Sequence, residues 1–211
     1  MKRRVVVTGL SAITPIGIGK EAFWNSLMEG KSGIGLITQF DTTDFNCKIA
    51  GEVKDFDFAD YGDKKEGKRM DRVTQFAVAC AKMAVKDSAL DLDKEDAERI
   101  GVCVGTGIGG IDELQSGFFT LAEKGPKRVS PLFIPTMIGN IAAGNLSIRY
   151  GLRGECLNVV TACATGAHSI GAAVRDIRHG YIDAALAGGS EESVSPICLA
   201  GFANLGALSK A

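Results

Sequence analysis

Four short, mostly apolar runs, residues 4–8, 100–104, 156–160 and 184–187, recur along the chain with helix-patterned stretches between them. Runs of this length are too short for helices, and a strand that is apolar throughout is one buried on both faces, as in parallel sheets. The first, built on the β-branched Val5, Val6 and Val7, ends at Gly9, and the second ends at Gly105. Between them, residues 20–29 space Phe23, Trp24, Leu27 and Met28 as a helix with Gly30 as terminator. Residues 71–88 place Val73, Ala77, Val78, Ala81 and Val85 on one helical face. Residues 111–121, 133–150 and the Gly/Ala-rich 164–178 also read as helices, with a charged turn at 123–128. Alternation of strand and helix predicts an α/β fold, a mostly parallel sheet between helices, with ligands gathering at the carboxyl ends of the strands.

Residues 31–67 lose the periodicity, so a surface excursion of short elements is expected over about 31–70. The tail, 197–211, is apolar and Gly-punctuated and does not read as a finished domain terminus, so a missing second half is expected. With 45% apolar residues among 211, the chain can bury a substantial core, which excludes global disorder. Lys plus Arg number 24 against 25 Asp plus Glu, a net charge of -1 that offers no whole-chain attraction for nucleic acid or an anionic membrane. Any charged partner must therefore meet a local patch. Lys64, Lys65, Lys68, Arg69 and Arg72 make one basic run, against Asp63, Glu66 and Asp71, and Lys127 with Arg128 a second. Each reads either as a solvated face or as a landing surface for an acidic or phosphate-bearing partner.

Six cysteines lie at long intervals without CxxC or Cys/His ligand spacing, so neither a zinc site nor another metal is expected. The apolar stretch in MKRRVVVTGL is too short for a signal peptide, which predicts a cytoplasmic protein with reduced thiols. The uncharged runs 129–148 and 156–174 are interrupted by Pro131, Pro135, Asn140, Asn145, Gly166 and His168, and read as buried elements rather than membrane spans.

Two motifs could carry chemistry. Gly105, Gly107 and Gly110 satisfy GxGxxG between an expected strand and an expected helix, the context of a dinucleotide loop. The strand is interior, however, and no acidic residue closes a second strand about 20 residues on, since Glu123 falls in the charged turn. Glycine-mediated packing near a pocket is the stronger reading, and no cofactor is expected. Cys163, in LNVVTACATGAHSIGAAV, stands where an apolar strand turns into a Gly/Ala-rich helix. A thiol there faces unpaired N–H groups and the positive end of the helix dipole, which favour thiolate and can stabilise an oxyanion. The small Ala162, Ala164 and Gly166 leave room for a substrate. A buried structural cysteine is the competing reading. Neither histidine suits Cys163 as a base. His168 lies about 140° around the helix and reads as packed or capped, while His179 lies roughly 24 Å along the axis and reads as a favourable C-terminal charge.

TACATGAHSIG, with VVVTGLSAITPIG, GTGIGG, SPLFIP and AGGSEE, resembles the elongating β-ketoacyl-acyl carrier protein synthases of type II fatty acid synthesis over the whole chain. The resemblance implies the thiolase-like fold, two similar βαβαβαββ halves stacked as five layers. Residues 1–211 would be the N-terminal half with cap segments. It implies that Cys163 accepts an acyl group as a thioester, which the carbanion from malonyl-carrier decarboxylation then attacks. Two histidines, a lysine and a second oxyanion N–H would come from the other half. By the same resemblance Ile108 and Phe202 line an acyl tunnel, Ala162 borders the substrate, and Phe133 and Ile134 reach the partner's tunnel. Lys64, Lys65, Lys68, Arg69, Lys127 and Arg128 would receive acyl carrier protein bearing acyl and malonyl groups. A homodimer is implied, with the strand before Cys163 pairing across the twofold axis. A non-catalytic chain-length or dimerisation partner and a polyketide-type or CoA-primed synthase are the alternative readings.

Overall fold

The computed structural model describes residues 3–209. Two small antiparallel pairs open the chain: β1 (Ile13–Thr14) with β2 (Gly17–Ile18), and β3 (Gly35–Leu36) with β4 (Ile49–Ala50). Between them runs α1 (Lys20–Met28), and after them come the one-turn α2 (Lys64–Gly67) and the long α3 (Arg72–Ser88). The main sheet follows in β5 (Ile100–Gly105), with α4 (Ile111–Lys124), α5 (Phe133–Met137) and α6 (Ile141–Tyr150) leading to β6 (Cys156–Leu157). Then α7 (Thr165–His179), β7 (Ala184–Gly189) and α8 (Pro196–Asn204) complete the described chain. Of the apolar tail, Lys210 and Ala211 lie outside the described residues.

The sheet is parallel, in the order β6-β5-β7, so both connections are crossovers. All six residues of β5 are buried, as an apolar run in a central parallel strand requires. Its two faces differ. Ile100, Val102 and Val104 enter one core with Ala77, Val78 and Ala81 of α3 and Ala142, Ala143 and Leu146 of α6. The alternate positions, Gly101, Cys103 and Gly105, are small, and α7 packs against this part of the sheet. A Cβ on Gly105 would meet the Val159 carbonyl oxygen at 2.2 Å and Thr165 Cγ2 at 2.5 Å. Only glycine there allows the start of α7 to sit on the strand end.

The expected strand at 4–8 is not formed. Val6 and Val7 are 61% and 74% exposed, and no strand among the described residues pairs with this run. β-Branched side chains favour a strand through contact with neighbouring strands, and without a ladder the preference goes unused. In α1 the expected apolar face is not buried either: Trp24, Leu27 and Met28 are exposed, and the one buried side chain is Ser26.

Three boundaries also shift. The strand expected over 156–160 pairs only at Cys156 and Leu157, because Asn158 turns its side chain to the Thr106 N–H. The helix expected over 133–150 breaks in two, with Ile138 extended and the Gly110 N–H donating to the Met137 carbonyl at 3.1 Å. Glu123 lies in the last turn of α4 rather than in a charged turn, which shrinks to Pro126–Arg128. The excursion carries its own small core, in which Ile37 and Cys47 pack with Leu199 of α8. Phe58 joins the main core.

Candidate active site

Three loops meet at the carboxyl ends of the parallel strands: residues 106–110 after β5, 158–164 after β6, and 190–195 after β7. Cys163 is the middle residue of a 3-10 turn, Ala162–Ala164, that runs directly into α7, and it is exposed. The turn is tied locally. The Thr161 N–H donates to Thr165 Oγ1 at 2.9 Å, and the Ala164 N–H donates to the Thr161 carbonyl at 3.1 Å. Ala162 takes a left-handed φ of 52°, uncommon for a side-chain-bearing residue and typical of sharp functional turns. Helix α7 has no side-chain N-cap, and the N–H of its first residue, Thr165, donates to the Ala162 carbonyl of the preceding turn.

His168 is not packed as expected. It is exposed, and its Nδ1 lies 2.8 Å from Thr161 Oγ1. Helical side chains lean towards the N-terminus, which carries the ring back over the turn before the helix. His179 ends α7 beside the Tyr181 ring, in the C-terminal position where positive charge suits the dipole.

The glycine loop is occupied by a carboxylate of the chain itself. Glu191 accepts the Thr106 hydroxyl at 3.0 Å through Oε1 and the Gly107 N–H at 2.8 Å through Oε2. Thr106, which is buried, also accepts the Gly109 N–H at 3.1 Å. A Cβ on Gly107 would lie 2.7 Å from Glu191 Oε2 and 3.7 Å from Ala162 Cα. The loop therefore sits between Glu191 and the Cys163 turn, with the Gly107, Gly109 and Gly110 amides turned to protein. This is the packing role, not the dinucleotide role.

Next to it, Glu192 is buried against the Arg72 guanidinium at 3.4 Å. Burial pushes its carboxyl above the ordinary range, and Arg72 opposes that shift. Arg72 also lies over the Phe56 and Phe76 rings and donates to the Val53 carbonyl at 2.9 Å. It is thus committed to the interior, unlike the other cations of the basic run. Sequence reading singled out AGGSEE as a segment but assigned no role to Glu191 or Glu192, nor to Thr106, Asn158 or Thr161. Two acids directly after a glycine-rich strand end were the available signal.

The remaining expected site residues fall as follows. Ile108, on the loop beside the Cys163 turn, is 45% exposed, and Phe202 in α8 is 43% exposed, so both present open surface. Phe133 begins α5 beneath Gly117 of α4, and Ile134 beside it is exposed. Lys64, Lys65, Lys68 and Arg69 are exposed in and just after α2, and Lys127 and Arg128 in the turn after α4. Among the described residues none of these six is in an ion pair, and Glu66 of α2 pairs with Arg149 at 2.5 Å. Cavities of about 390 Å³, at Thr38, Glu52 and Arg72, and about 680 Å³, at Arg153, Arg175 and Tyr181, include neither Cys163 nor Ile108.

Comparison with known proteins gives this constellation a context. The chain is 48% identical over 208 residues to 3-oxoacyl-[acyl-carrier-protein] synthase 2 of Vibrio harveyi, covering 99% of this chain and 50% of that protein. It thus spans about half the length of the curated relatives it matches. Among solved structures it is similar to the ishigamide ketosynthase/chain length factor, with a TM-score of 0.89 and 33% identity over 99% of this chain and 52% of that one. It is also similar to a type II PKS ketosynthase solved with its acyl-carrier protein and a hexaketide (TM-score 0.84, 29% identity, 96% of this chain and 55% of that one). The fold is thiolase-like, as the ketosynthase structures share it. The family model for the beta-ketoacyl synthase N-terminal domain matches residues 2–211, and the chain belongs to that family.

Proposed function

We propose that this chain is the acyl-accepting half of a 3-oxoacyl-[acyl-carrier-protein] synthase, with Cys163 as nucleophile. The observation that carries the reading is an exposed thiol on a strained turn, at the carboxyl ends of parallel strands, before a helix without a side-chain cap. The Cys163 thiolate attacks the thioester carbonyl of an acyl carrier, forming the acyl-enzyme and releasing the carrier thiol, which takes up a proton. A malonyl carrier then loses carbon dioxide, its carbanion forms the new carbon–carbon bond at the acyl carbonyl, and Cys163 leaves as thiolate. Amides at the start of α7 can stabilise the oxyanion in both attacks.

The acid/base groups for decarboxylation would come from a second half beyond residues 1–211. His168 and His179 are the only histidines here; His168 is engaged with the Thr161 hydroxyl and His179 lies beside the Tyr181 ring. Acyl carrier protein, bearing acyl and malonyl groups, would land on Lys64, Lys65, Lys68, Arg69, Lys127 and Arg128, whose unpaired charge supports that role. Ile108, Ala162 and Phe202 would line the path of the acyl chain. Phe133 and Ile134 would reach the partner's tunnel in a homodimer, for which β6, an edge strand, leaves a free side. Six free cysteines suit a cytoplasmic setting.

Mass spectrometry after treatment with an acyl-like electrophile tests the reading: the label belongs on Cys163. Label on other cysteines with Cys163 untouched rejects it. This chain alone is expected neither to condense nor to decarboxylate malonyl carrier, and measurable turnover would contradict the missing-base assignment. A polyketide-type ketosynthase, to which the similarity to the type II PKS ketosynthase points, differs in the acyl chains it accepts, and profiling carrier-bound substrates with the partner half present separates the two. A chain-length partner without catalysis is disfavoured by the exposed thiol.

A further inference from the structure

We infer that His168 is a positioning residue for the nucleophile turn, acting through the Thr161 hydroxyl. The inference deepens the reading of Cys163 as acyl acceptor and rests on it. Thr161 stands two residues before Cys163 and is held at three points. Its N–H goes to Thr165 Oγ1, its carbonyl receives the Ala164 N–H, and its hydroxyl meets His168 Nδ1 at 2.8 Å.

The first reaches only Thr165, the first residue of α7, and the second lies within the turn. The third comes from the body of α7, whose other face is seated on β5 and β7. A turn that carries a left-handed alanine persists only where its surroundings hold it, and a link to the rigid helix supplies that hold. His168 thus transmits the position of the sheet to the sulfur. The ring's partner is the Thr161 hydroxyl, so the role inferred for it is positioning rather than proton transfer.

The anchoring predicts which substitutions matter. Asparagine places a polar atom near the position of the imidazole Nδ1, on a side chain of similar reach, so His168→Asn retains the link. Alanine removes it. Thr161→Val removes the hydroxyl from the other side while keeping the shape of the side chain.

The experiment measures the rate of alkylation by iodoacetamide at each cysteine of the 211-residue chain, read by peptide mass spectrometry. A cysteine-containing peptide added to the same reaction is the reference, because Cys156 lies on β6, the strand offered to a second copy. Cys103 and Cys198, which are buried, report unfolding. The expected result is that His168→Ala slows Cys163 about tenfold relative to the reference peptide, the worth of one net hydrogen bond. His168→Asn should stay within about twofold of the parent on the same basis. Thr161→Val should slow Cys163 as His168→Ala does, and the double variant no further, because the two changes remove one shared interaction.

Parental labelling in His168→Ala, or an asparagine variant as slow as alanine, overturns the role. So does a double variant slowed by the product of the two single effects. Where alanine exposes Cys103, Thr161→Val and His168→Asn decide the matter by the same criteria. Failure of Cys163 to label in the parent chain would instead sink its assignment as acyl acceptor, a different outcome from labelling that ignores His168.

Discussion

Glu191 shows how one side chain can decide between two chemistries that a glycine motif allows. Its carboxylate takes up the Gly107 amide and the Thr106 hydroxyl, donors that a phosphate would otherwise need. Removing it should free the loop. In Glu191→Ala, exchange of the Gly107 amide with solvent is expected to quicken by about tenfold or more, the size set by a hydrogen bond to a charged acceptor. Amide exchange followed by NMR checks this, and unaltered protection would mean that the loop holds without the clamp. Cys163 was legible from its neighbours, since a thiol between an apolar run and a Gly/Ala helix is a local pattern. Glu191 was not, because its partners lie 84 and 85 residues away.

Helix α3 illustrates an element whose start was written locally and used globally. Asp71 caps it through Oδ1 to the Val73 N–H, and its Oδ2 accepts the Glu113 N–H at the start of α4. Burial pushes the Asp71 carboxyl above the ordinary range, while the bonds from Val73 and Glu113 pull it back. One carboxylate therefore fixes two helix N-termini. Asp71→Ala should destabilise the chain by about 2 kcal/mol or more, at the upper end for a cap, because it also strands the Glu113 amide. Urea unfolding followed by circular dichroism measures the loss, and a change below about 0.5 kcal/mol would show that neither helix start depends on it. The aspartate before an apolar helical face was a readable start signal, whereas its second partner was not. Likewise the break between α5 and α6 could not be read from composition, since it depends on the Met137 carbonyl meeting the glycine loop.

Across the molecule, Asp183 joins three distant segments: it accepts bonds from Arg99, just before β5, and from Arg3 near the N-terminus, while itself preceding β7. Arg99 and then Arg3 hold its carboxyl down at about 2. A carboxyl depressed in the folded chain stays charged where the unfolded chain, near the ordinary value of about 3.9, has begun to take up a proton. Its contribution is therefore complete above about pH 4 and is lost as pH falls through about 2. Parent and Asp183→Asn should differ in urea midpoint at pH 6 and converge near pH 2. A difference that persists unchanged in acid would place the coupling elsewhere. The sequence alone determined what local pattern can encode: the strand–helix alternation, the apolar face of the 71–88 helix, the basic runs and the thiol at the mouth of a helix. Tertiary structure alone decided that residues 4–8 form no strand, that the glycine loop holds a carboxylate, and that His168 reaches Thr161. Side-chain period and capping reflect neighbours within a few residues, whereas ladder partners and loop clamps are set by segments that only the folded chain brings together.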